Sequence, residues 1–203
     1  MPIETVMIDA LDGVQLRADL ARVDGARAGV VLAHPHPLYG GDRFNPIIDT
    51  LFARLPEAGL STIRFDFRGV NESGGIHDDG DSERLDVVAA IEMLDFVDAD
   101  SPVWLVGYSF GALVALNVVD PRVVGWIAIA PPLAAFPGRI LADTDHRPKL
   151  LLVPAHDQFS PPAATADITA QWQATELRTI DSCDHFLAGR VQHIADTVAA
   201  RLS

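Results

Sequence analysis

The chain has 203 residues, 49% of them hydrophobic, and a formal charge of −13. Its apolar runs are strand-sized and broken by Gly, Pro or charge, which excludes a membrane span and points to a parallel sheet buried on both faces. The acidic balance argues against nucleic acid or an anionic membrane as partner, since either needs clustered Lys and Arg.

The length suits one domain over residues 1–203. The single Cys183 excludes an internal disulfide, and Met1 to Thr5 lacks a basic segment leading into an apolar core, so a reducing cytoplasm is the expected setting. Ile3 to Asp9 and Val14 to Arg22 read as an antiparallel pair turned at Asp12-Gly13. Ala28 to Ala33 is a continuous apolar strand that stops at His34-Pro35-His36-Pro37-Leu38-Tyr39-Gly40-Gly41. A packing helix is expected from Asn45 to Ala58, on the spacing of Ile47, Ile48, Leu51, Phe52 and Leu55, with Gly59 as its stop. Ser61 to Phe65 is a short strand followed by a polar turn holding Arg68, a residue that either braces its loop or binds an anion. Asp81 or Ser82 caps a helix running to about Val97.

Val103 to Leu113 carries the most information. An apolar strand leads into Gly107-Tyr108-Ser109-Phe110-Gly111, and Ala112 to Val119 continue as a buried helix. G-x-S-x-G between strand and helix is a nucleophile elbow, in which the glycines remove side chains where strand and helix cross at close range. Beyond Asp120-Pro121, strands are expected at Val123 to Ala130, Lys149 to Val153 and Glu176 to Ile180, and helices at Pro162 to Trp172 and Leu187 to Leu202. Leu133 to Pro148 has room for one short helix or an irregular segment, not for a lid domain.

A serine nucleophile needs a base to take its proton and an acid to orient that base. Ser109, Asp157 and His185 each follow a different expected strand, at the sheet edge where ligands gather. His146, His156 and His193 compete for the base, and Asp143, Asp145, Asp181 and Asp184 for the acid. His193 lies within a helix, His156 adjoins Asp157 and cannot easily fold back onto it, Asp143 and Asp145 precede their strand, and Asp181 and Asp184 are turn formers. The oxyanion would be held by the amides of Phe110 and of His36, because Pro35 and Pro37 have no N–H and only Leu38 and Tyr39 offer alternatives in that loop. His34 and His36 lack a nearby third ligand, so no metal is expected, and Cys183 reads as a passive thiol. Tyr39 and Phe159 are the expected substrate contacts among the aromatic residues flanking the site.

Ala33 to Gly41, Phe65 to Gly69 with Asn71 and Ser73, the elbow, Asp157 with Pro161, and Asp184-His185-Phe186 together resemble the small bacterial serine hydrolases of the α/β-hydrolase superfamily, and the resemblance spans essentially the whole chain. It implies a central sheet of about eight mostly parallel strands flanked by helices, with minimal or no cap, and esterase-type activity. One departure is Pro154-Ala155-His156-Asp157, where relatives usually have glycine before the acid. The expected function is cofactor-free cleavage of small-molecule carboxylic esters or thioesters through an acyl-enzyme on Ser109. Amide, lactone or peptide hydrolysis, or a non-catalytic binding protein on the same fold, are the alternatives.

Overall fold

A computed structural model describes residues 3–99 and 101–203. Eight strands form one sheet in the order β1-β2-β4-β3-β5-β6-β7-β8. β1 (Ile3–Asp9) and β2 (Gln15–Ala21) form the expected hairpin, and β2 runs antiparallel to β4 (Ser61–Phe65). From there β3 (Gly29–Ala33), β5 (Val103–Tyr108), β6 (Val123–Ile129), β7 (Lys149–His156) and β8 (Thr175–Asp184) are all parallel. This is the α/β-hydrolase architecture.

Two apolar layers sandwich the sheet, and alternation along each central strand assigns its side chains to one layer or the other. Val30, Leu32, Val106, Ile127 and Leu150 pack with α1 (Pro46–Arg54) and α5 (Val191–Leu202). Val31, Leu105, Ala128 and Leu151 pack on the opposite side with α2 (Glu83–Val97) and α3 (Phe110–Leu116). α4 (Pro162–Thr169) lies along β7 and β8.

Several boundaries differ from the sequence expectation. α1 stops at Arg54 because Pro56 cannot donate to the helix ladder, and a 3-10 turn over Pro56–Ala58 follows, closed by Gly59 at φ 78°. α3 ends at Leu116, three residues before Val119, which is exposed. β8 runs on past Ile180 to Asp184, and the last helix begins only at Val191, after Leu187 and Gly189 have taken positive φ. Residues 130–148 contain turns but no helix or strand, so no helical cap rises from that segment beside the carboxyl edge of β5 and β6.

Candidate active site

Ser109 follows β5 with φ 54° and ψ −117°, a backbone conformation that side-chain-bearing residues rarely adopt. Its amide is anchored on the Ile129 carbonyl at the end of β6, 2.9 Å away. A Cβ on Gly107 would run into the backbone of Gly111, and one on Gly111 into the carbonyls of Ala33 and His34. The elbow therefore needs both glycines, and the second lets the helix approach the loop after β3.

Three side chains meet at this edge. Ser109 Oγ lies 2.8 Å from His185 Nε2, and His185 Nδ1 lies 2.8 Å from Asp157 Oδ2. Asp157 uses its other oxygen to accept the amides of Phe159, at 2.8 Å, and Ser160, at 3.0 Å. With Oδ1 occupied in this way, Oδ2 is left for the imidazole, and Nδ1 carries the proton while Nε2 faces the serine. All three residues are buried.

The histidine is also held through its backbone. Tyr108 donates its hydroxyl to the His185 carbonyl at 3.0 Å, and Gln158 accepts the His185 amide at 3.3 Å. Burial, followed by the nearby Asp157 and Asp184 charges, pushes the Tyr108 phenol up, which keeps it a donor. Phe159 meets the imidazole edge-on with centroids 4.6 Å apart.

The loop after β3 folds back on itself. His36 Nδ1 accepts the Leu38 amide, and the His36 carbonyl accepts the amides of Tyr39 and Gly41. A Cβ on Gly41 would strike the Pro35 and His36 carbonyl oxygens, so glycine is required for this return. Leu38 and Tyr39 have thus spent the N–H groups that sequence reading left available. Among the described residues no acceptor engages the amides of His36 or Phe110.

His34 beneath this loop is fully buried. Its Nε2 accepts the Phe67 amide at 3.0 Å and its Nδ1–H donates to the Pro35 carbonyl at 2.6 Å, so both ring nitrogens are used. Burial lowers its pKa to about 4, which keeps it neutral. Arg68 braces its loop: Nε and Nη2 donate to Asp86 Oδ1 at 2.9 and 2.7 Å, and Nη1 to Asp12 Oδ2 at 2.8 Å.

The rival residues do not reach Ser109. His146, His156 and His193 are exposed, as are Asp181 and Asp184, and Asp145 is occupied by Arg147. Despite lacking a glycine before Asp157, β7 makes the turn by a register shift between Pro154 and His156, with the Asp157 amide donating to Pro154 O. Burial pushes the Cys183 thiol up, and it donates to the Ile180 carbonyl at 3.2 Å.

A cavity of about 530 Å3 opens onto Ser109, and Tyr39 and Phe159 both line it. Phe136 and Phe186 line it as well; Phe186 is a flanking aromatic that the sequence does not distinguish from core, and Phe136 carries no sequence signal because it lies in the irregular segment. Tyr39 at 85% exposure, Phe186 at 63% and Phe136 at 52% show the mouth to be open. Among the described residues no helix is long and apolar enough to cross a membrane.

The chain is 34% identical over 117 residues to an uncharacterised protein of Rickettsia prowazekii, an alignment covering 56% of this chain and 49% of that relative, so about half the relative's length is matched. An alpha-beta serine hydrolase homologue from Coxiella burnetii superposes with a TM-score of 0.89 at 29% identity, over 98% of this chain and 97% of the other. A Xanthomonas campestris protein described as a serine hydrolase without lid gives a TM-score of 0.80 at 26% identity, over 98% and 96%. With the model of the alpha/beta hydrolase family matching residues 30–202, the chain belongs to that family.

Proposed function

We propose that the protein is a serine hydrolase that cleaves carboxylic esters, with thioesters as a related class, through an acyl-enzyme on Ser109. The observation that carries this reading is the unbroken hydrogen-bonded chain from Ser109 Oγ through His185 to Asp157 at the floor of an apolar cavity. His185 Nε2 takes the hydroxyl proton as Oγ attacks the ester carbonyl. The resulting oxyanion is held by the amides of Phe110 and His36, each worth about 3 to 4 kcal/mol in a comparable enzyme. His185 then delivers the proton to the leaving alcohol, and water enters by the same base to release the acid. Asp157 fixes the tautomer and stabilises the imidazolium. The sequence uses no cofactor.

The absence of helix or strand over residues 130–148, and the lidless description of the Xanthomonas relative, support an open site suited to short and medium acyl chains. The test is intact-protein mass after a fluorophosphonate probe, on the natural chain and on Ser109→Ala, beside turnover of short-chain p-nitrophenyl esters. One adduct that vanishes in Ser109→Ala and accompanies turnover is expected. No label and no turnover would replace this reading with a binding protein on the same fold.

A further inference from the structure

The cavity above Ser109 has a neighbour. A second cavity of about 650 Å3 shares His36, Phe110 and Phe136 with it, so the two adjoin across those three side chains, next to Ser109. They differ in chemistry: no Lys, Arg, Asp or Glu lines the first, whereas Asp79, Asp81, Arg84 and Arg139 line the second over a floor that includes Leu113 and Val114.

Two of those four charges pair with each other, and Asp79 is exposed to solvent beside His77. Arg84 donates to the Asp81 carbonyl at 3.0 Å and reaches its carboxylate at 3.3 Å, and Asp79 Oδ1 lies 3.3 Å from His77 Nε2. Arg139 is an exposed side chain on the cavity wall, and among the described residues it forms no ion pair or hydrogen bond. The backbone presenting it is fixed on both sides. The Phe136 amide donates to the Pro132 carbonyl at 3.1 Å, the Leu141 amide to Asn117 Oδ1 at 3.0 Å, and the Ala142 amide to the Leu116 carbonyl at 3.0 Å. In a chain of net charge −13, a guanidinium left without an acid at the wall of a cleft is suited to an anion from outside.

We propose that this second cavity is a substrate subsite for a carboxylate, with Arg139 as its charged anchor. The preferred substrate is then an ester that is apolar on one side of the scissile bond and carries a carboxylate at the far end of the other. The proposal rests on the serine-hydrolase reading and adds the substrate class to it.

Mono-p-nitrophenyl esters of linear diacids, from adipate to sebacate, are compared with their terminal methyl esters and with trimethylammonium-ended analogues. A mirrored series uses butyrate esters of ω-hydroxy acids and the methyl esters of those acids, because either half of the substrate can occupy either cavity. Spontaneous hydrolysis is subtracted, and kcat/KM ratios are taken within each variant so that loss of folded protein cancels. In one series, at one spacer length, the carboxylate ester should exceed its neutral isostere about tenfold. That ratio should fall to about one in Arg139→Gln and recover in part in Arg139→Lys. Turnover of neutral esters with no carboxylate preference in either series, a preference for the cationic end, or a ratio unmoved by Arg139→Gln overturns the subsite alone. No ester turnover and no fluorophosphonate adduct overturns the serine-hydrolase reading and the subsite with it.

Discussion

Asp157 divides its two oxygens between jobs: Oδ2 meets His185, and Oδ1 is held by the Phe159 and Ser160 amides. Asp157→Asn leaves a side chain of the same shape but offers an amide where Nδ1–H needs an acceptor. If the proposed triad operates, kcat should drop about 10⁴-fold while the far-ultraviolet spectrum stays unchanged, measured by steady-state kinetics and circular dichroism. His34 supplies a second prediction at this scale. Its folded pKa of about 4 lies below that of a histidine in the unfolded chain, so acid protonates the unfolded state first. The stability tied to neutral His34 is complete above pH ~6.5 and is lost as the pH falls towards 4, about 3 kcal/mol at most. Urea midpoints across that range should decline, and less steeply in His34→Gln. Ser109, Asp157 and His185 were legible because each residue type has a fixed task and each follows a strand that composition alone marks out. Tyr108 holding the His185 carbonyl was not legible, since a tyrosine before the elbow serves equally well as core and nothing in its spacing points 77 residues down the chain.

α3 shows why element boundaries are harder to read than elements. Val118 and Val119 continue the apolar pattern, yet the helix stops at Leu116 because its end has other partners. The Trp126 indole donates to the Ala115 and Val118 carbonyls at 3.1 and 3.2 Å, and Asn117 links the helix end to Leu141. Those partners come from β6 and from the irregular segment, so only tertiary contact fixes the boundary. Trp126→Phe keeps the ring but abandons two buried carbonyls, and should cost about 1 to 3 kcal/mol in chemical denaturation. The second cavity was illegible for the same reason. Its walls come from the loop after β3, the start of α2, one side of α3 and residues 135–141, four stretches with no shared pattern in the sequence.

At the scale of the whole molecule, the antiparallel edge and the loop after β3 are joined by buried charge. Arg43, just after the loop that carries His36, pairs with Asp19 on β2 and with Asp66 after β4, and Arg64 also reaches Asp19 at 3.0 Å. Removing Arg43 leaves Asp19 to Arg64 but strips the buried Asp66 of its counter-charge, so Arg43→Met should lose about 3 to 5 kcal/mol. We propose that residues 1–203 fold as one unit, in which case that loss appears as a shift of a single denaturation transition. Two transitions, with only one displaced, would contradict it. The strands of the parallel core were readable from the apolar runs, but their pairing order was not, and neither was this network, because nothing in the spacing of Asp19, Arg43, Arg64 and Asp66 marks them as partners. The irregular segment has a different bearing. Ala134 is tied to Ser160 and Leu141 to Asn117, while residues 135–139 between them are exposed and a side chain at Gly138 would meet nothing within 4 Å. Such an exposed span, tied at both ends, accepts inserted sequence without disturbing the sheet. A helical hairpin grafted at Gly138 should roof the mouth and move the chain-length optimum, so that substrate range in this architecture can evolve by lengthening a single loop.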